Sequence, residues 1–148
     1  MKLNSVIPEL SVSDIGRSLD FYRKILGFTV EYERPADKFA FLSLGRAQIM
    51  VEQINGHWQT GKLEAPFGRG INFQIEAENL EALLKRLRGY ALFREPHNVR
   101  YAVGGRSVEL RQFLVLDPDG YLLRFCQPMK LKSKIDKTKT KNIKKTVK

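Results

Sequence analysis

Val12-Ser13-Asp14-Ile15-Gly16-Arg17-Ser18-Leu19-Asp20-Phe21-Tyr22-Arg23-Lys24-Ile25-Leu26-Gly27-Phe28 reads as the end of a strand, a helix cap, about three turns of helix and a glycine stop. Ser13 or Asp14 can cap the free N–H groups of the first turn. Ile15, Leu19, Tyr22 and Leu26, with Ser18 and Ile25 beside them, recur at the i, i+3, i+4, i+7 spacing of one buried face. Arg17, Asp20, Arg23 and Lys24 fall on the wet side. Gly27 stands where the chain can turn left-handed and leave the helix.

Before this stretch, residues 3–12 alternate as a strand, with Pro8 favouring a sheet edge or the first residues of a strand. After the helix, Thr29–Arg34, Phe39–Leu44 and Ala47–Ile54 read as strands, so the first part is a βαβββ unit. Residues 55–69 carry Gly56, Gly61, Pro66 and Gly68 with little periodicity and read as a linker. Then the pattern restarts. Gly70–Ala77 alternates, Glu78-Asn79 caps, and Leu80, Leu83, Leu84 and Leu87 make an amphipathic helix ending near Gly89. Strands are expected at Ala91–Arg94, Val99–Val103, Val108–Leu116 and Tyr121–Gln127, with a turn at Asp117-Pro118-Asp119-Gly120. A repeat of roughly 65 residues is two copies of one supersecondary unit. The expected fold class is α+β: two tandem βαβββ modules, about residues 3–54 and 70–127, forming a curved, cup-like mixed sheet with the helices outside. Residues 1–128 would be one domain.

An alternating strand, Asp14, a helix carrying Ser18-Leu19 and Phe21-Tyr22, then Leu26-Gly27-Phe28 resembles the opening of the vicinal-oxygen-chelate superfamily. That group holds glyoxalases, extradiol dioxygenases, fosfomycin-resistance enzymes and bleomycin-resistance proteins. Phe113-Leu114-Val115-Leu116-Asp117-Pro118-Asp119-Gly120-Tyr121-Leu122-Leu123-Arg124-Phe125 is similar to the closing hairpin of the same fold. The resemblance implies that the superfamily's enzymes would hold a divalent metal through His, Glu or Gln near the middle of matching strands. Aligned on the motifs, those positions carry Ile7, Met50, Gly70 and Arg124. None suits a divalent ion that seeks oxygen or imidazole, so no metal and no cofactor is expected. The alternative is a divalent-metal-dependent glyoxalase-, dioxygenase- or thiol-transferase-like enzyme with displaced ligands, for which Glu9, Glu52 and Gln74 are the candidates. His57 and His97 lie in loops, and no Ser-His-Asp order, Cys-His pair or phosphate-cradling glycine loop is present, so no catalytic residue is assigned.

The strand face away from the helices should line the cup. By parity this gives Ile7, Glu9 and Ser11, then Phe39, Phe41 and Ser43, then Gln48, Met50 and Glu52. In the second module it gives Gly70, Asn72 and Gln74, with Leu122, Arg124 and Cys126. The ligand-binding candidates are therefore Phe39, Phe41, Glu9, Gln48, Met50, Trp58, Asn72, Gln74, Tyr101, Arg111 and Arg124. Aromatic rings, amides and a few charges suit a flat, polar organic ligand held by stacking and hydrogen bonds. Ile7-Pro8-Glu9-Leu10 and the missing metal donors resemble most the bleomycin-resistance branch. That resemblance implies a non-catalytic homodimer that sequesters a glycopeptide antibiotic in clefts at the subunit interface.

Composition sets the remaining bounds. Of the net charge of +10, residues 130–148 supply +8 through nine lysines against Asp136, so the remainder, at +2, is nearly neutral. Residues 129–148 read as a disordered, Lys-rich tail without the arginine and aromatic residues expected of a nucleic-acid binder. The single cysteine, Cys126, suits a reducing cytoplasm and a small strand residue. No apolar run approaches a membrane span and the N-terminus lacks the apolar core of a signal peptide, so neither membrane nor export is expected.

Overall fold

The computed structural model describes residues 1–129. The expected tail therefore lies, from residue 130 onward, outside the described residues; Met129 donates its N–H to the Glu109 carbonyl at 2.9 Å. The elements run β1 (Glu9–Val12), α1 (Ile15–Leu19, continued by a wider π-helical stretch, Asp20–Ile25), β2 (Thr29–Arg34), β3 (Phe39–Leu44), β4 (Ala47–Gln53), β5 (Asn72–Glu76), α2 (Leu80–Arg86), β6 (Arg94–Val103), β7 (Arg106–Leu116) and β8 (Leu122–Pro128). They form two four-stranded mixed sheets, ordered β1-β4-β3-β2 and β5-β8-β7-β6. The two tandem modules are thus present, each with a parallel outer pair and two antiparallel ladders.

The repeat extends to individual hydrogen bonds. Asp14 accepts from Arg17 N at 2.8 Å and Asn79 from Ala82 N at 2.9 Å, each capping its helix. Gln53 accepts from Ile15 N, and Gln127 does the same for Leu80 N, so the fourth strand of each module satisfies an orphan donor of that module's helix. These pairs fix the equivalence of the modules. Glu9 corresponds to Gln74, Met50 to Arg124, and Glu52 to Cys126.

Three expectations shift. The first strand begins at Glu9, because Pro8 has no N–H to give the ladder and only its carbonyl is used, by Met50 N at 2.8 Å. The two strands expected between Ala91 and Val103 are one, β6, interrupted by a bulge between Arg94 and His97. The first helix widens after Leu19, with Leu26 N bonded to Phe21 O at 3.0 Å. That widening lets the consecutive rings of Phe21 and Tyr22 both turn inward, while Ile15 and Leu19 are only half-buried. Gly27 leaves the helix at φ 81°, as expected.

Both modules share one core on their helix sides, from Leu10, Val12 and Val51 to Ile75, Phe113, Leu123 and Phe125. Polar groups bolt the halves together. Tyr22 OH donates to Asp117 Oδ2 at 2.9 Å, and Asp117 Oδ1 accepts from Asp119 N and Tyr121 N. Ser13 N donates to Asp119 Oδ2, and Tyr121 OH donates to the Ser11 carbonyl. Arg86 donates to the Ile25 and Lys24 carbonyls, closing the C-terminus of the first helix. The Asp117–Gly120 turn also receives the linker, through Phe67 N and the Asp119 carbonyl.

Candidate functional site

The polar face of the first sheet is built from two rows of side chains. Register places Ser11, Glu52, Phe39 and Arg34 in one row and Glu9, Met50, Phe41 and Tyr32 in the next. Ala40, Leu42, Ile49 and Val51 point the other way, into the core. The parity expected for β3 and β4 is therefore the observed one. Phe39 and Phe41 are nonetheless only 3% and 1% exposed. Tyr32 stacks on Phe41 with ring centroids 5.3 Å apart and planes 13° apart, and the Arg34 guanidinium lies 3.6 Å from the Phe39 ring centre. The phenylalanines form a floor, from which Phe39 reaches the cavity above and Phe41 does not.

Above this floor is a cavity of about 630 Å³ lined by Glu9, Tyr32, Arg34, Met50, Glu52, and His57 and Trp58 from the linker. Its size is within the usual range for small-molecule sites. Glu9 and Glu52 are diagonal neighbours across β1 and β4 and both line this cavity. Burial, then the neighbouring Glu52 carboxyl, hold the Glu9 carboxyl above its usual range; Arg34 opposes this. Ser43 Oγ donates to Glu31 at the far end of the sheet.

The second sheet presents a different face. Gln74, Arg124, Leu114 and Arg94 stand in one row, with Asn72 and Leu122 in the next. Arg124 is half-buried, and its Nε is enclosed without an acceptor. Burial, with Glu76, pushes the Cys126 thiol up, which keeps it protonated and a poor nucleophile. His97 and Gln112 contact through their side-chain nitrogens at 3.0 Å.

The candidates from the sequence therefore separate. Glu9, Phe39, Met50 and Trp58 line the first cavity, with Phe41 on the first sheet beneath it, opposite Met50. Gln48 is occupied in holding the N-terminal segment, accepting from Asn4 N and donating to the Lys2 carbonyl. Asn72, Gln74 and Arg124 belong to the second sheet. Tyr101 lies on the β6–β7 hairpin opposite Val108, away from the cavity. Arg111 is on the helix side, paired with Glu81 of α2 at 2.9 Å. Tyr32 and Arg34 are cavity residues that the sequence reading misses. Their alternation at i and i+2 is the available signal, but the bulge between Val30 and Tyr32 resets the parity of β2.

A divalent ion does not fit the superfamily's positions in this chain. The module equivalence assigns them to Ile7, Met50, Asn72 and Arg124, correcting Gly70 to Asn72. An alkyl chain, a thioether, an amide and a guanidinium are a poor donor set. Of the displaced set, Glu9 and Glu52 are neighbours on the first sheet, while Gln74 is on the other. Among the described residues no three His, Cys, Asp or Glu side chains gather as a metal site.

Comparison with known proteins places this geometry in context. The profile of the Glyoxalase/Bleomycin resistance protein/Dioxygenase superfamily matches residues 2–125. The bleomycin resistance protein of Geobacillus stearothermophilus is 27% identical over 133 residues, covering 84% of this chain and 96% of its own. A Staphylococcus aureus protein of the same name matches equally. The crystal structure of TioX from Micromonospora sp. ML1 is similar in fold, with a TM-score of 0.65 at 20% identity over 85% of this chain and 99% of that one.

Proposed function

We propose, for a chain that belongs to the glyoxalase/bleomycin resistance protein/dioxygenase superfamily, a non-catalytic role: it sequesters a glycopeptide antibiotic of the bleomycin type in the cytoplasm. The observation that carries this reading is the 630 Å³ cavity walled by Tyr32, Trp58 and Met50 over the Phe39–Phe41 floor. Aromatic faces accept a flat heteroaromatic group by stacking. Among the described residues, the cavity of one chain is lined by residues 9–58 alone, although the candidate polar groups of the second sheet have the same parity. Two copies arranged so that the second sheet of each covers the first cavity of the other would complete two clefts, one drug in each. Among the described residues no helix is long and apolar enough to cross a membrane.

Calorimetric titration with metal-free and Cu²⁺-loaded bleomycin tests the reading. Saturable binding at micromolar or tighter concentration, one drug per chain, is expected. Absence of heat together with absence of competition against a fluorescent bleomycin would overturn it.

A further inference from the structure

The polar faces of the two sheets carry opposite charge at their centres, and among the described residues neither centre is ion-paired. On the first, Glu52 is 8% exposed and is the diagonal neighbour of Glu9 across β1 and β4, while the neighbouring cation, Arg34, is paired with Asp37 at 2.9 Å. On the second, Arg124 is half-buried with an enclosed, unpartnered Nε, and among the described residues no carboxylate forms an ion pair with it. The two sets lie apart. Glu9 and Glu52 stand on β1 and β4 of the first sheet, and Arg124 on β8 of the second.

Module equivalence sets Arg124 at the same strand position as Met50, the residue between Glu9 and Phe41 in the first sheet. The guanidinium and the acidic pair therefore stand at matching depth on their sheets. A two-fold axis between identical chains sets residue i against j and j against i. First-sheet-to-second-sheet docking consequently brings both sets together twice. A guanidinium fork is suited to two carboxylates, its two terminal amino groups presenting donors in one plane. Such a cluster contributes mainly to how the copies dock.

We propose that Arg124 of a second copy of this chain is the counter-ion of Glu9 and Glu52, one cluster in each of two clefts. This rests on the reading that two copies close the cleft, and it identifies what closes it. The test uses two full-length variants, Glu9→Lys and Arg124→Glu, with sedimentation equilibrium as the readout and circular dichroism as the folding control. Each variant alone faces like charge at both clusters and is expected to dimerise at least tenfold more weakly than the wild type. Mixed one to one, they form a heterodimer in which one cluster is wild-type and the other sets the two reversed charges against each other, restoring most of the affinity. If a variant does not fold, Glu52→Gln and Arg124→Gln are combined in a double-mutant cycle. There the double variant is expected to dimerise no more weakly than the weaker single one. A wild-type dimer whose variants associate unchanged, or whose mixture gains nothing, or whose cycle is additive, overturns the Arg124 assignment alone. A wild type that stays monomeric while binding bleomycin overturns the two-copy cleft as well.

Discussion

Tyr32 and Phe41 stack on one another, yet replacing each with alanine should damage different properties. Phe41 is 1% exposed and supports Tyr32 from below. Phe41→Ala removes a whole buried ring and should cost about 3–5 kcal/mol of stability. Tyr32 is 41% exposed and lines the cavity. Tyr32→Ala forfeits the stacking contact, about 0.5–1.5 kcal/mol. It also loses a face on which a heteroaromatic ligand would lie, about 1–3 kcal/mol of binding by analogy with base stacking. That binding loss corresponds to about a 5- to 150-fold weaker Kd. Urea unfolding measures the first property and calorimetry with bleomycin the second. Tyr32→Ala should therefore lose mainly affinity and Phe41→Ala mainly stability. A Phe41→Ala protein of unaltered stability and much weaker binding would mean that Phe41 itself is open to the ligand. Unchanged affinity in Tyr32→Ala would remove this cavity from the site.

The polar bolt between the modules gives further expectations. Tyr22→Phe deprives the buried Asp117 carboxylate of one donor and should destabilise by about 1.5–3 kcal/mol in denaturant melts, with bleomycin affinity unchanged in the folded protein. Gly120 holds φ 95°, and a Cβ there would sit 2.5 Å from Pro66 Cβ, so Gly120→Ala should cost about 3 kcal/mol or more, read as a fall in Tm. Burial, with Asp117 and Asp119 nearby, pushes the Tyr121 phenol up to about 12 from 10.0. The folded state holds that proton more tightly, so its contribution is whole below about pH 10 and is lost as pH rises toward 12. Alkaline unfolding followed at 295 nm should therefore be less steep in Tyr121→Phe; an identical slope would mean the phenol ionises freely in the native protein.

Much of the fold is legible because local and global signals agree. Asp14 and Asn79 mark both helix starts, Gly27 one helix end, and the alternation of β3 and β4 separates Ala40 and Val51 from Phe39 and Glu52. Signals that depend on a single inserted residue are not legible. The bulge in β2 decides which way Tyr32 and Arg34 face, and the widened turn after Leu19 brings Phe21 inward. Nor can strand parity distinguish a buried floor from an open wall, since Phe39 and Phe41 depend on neighbours brought by register. Arg111 fails as a ligand candidate for a related reason: it stands next to Gln112 and Leu110, whose face it does not share, and pairs with Glu81 across the helix side. The Asp117–Gly120 turn is recognisable as a turn, but its role in tying Tyr22, Ser13 and the linker to one point requires tertiary contacts.

Sequestration is tested most directly by native mass spectrometry of the protein incubated with bleomycin, followed by release and weighing of the drug. The expected result is a complex of two chains and two drug molecules, from which bleomycin is recovered with its mass unchanged. A protein that takes up no drug, or one that returns the drug with an altered mass, would contradict a non-catalytic binding role.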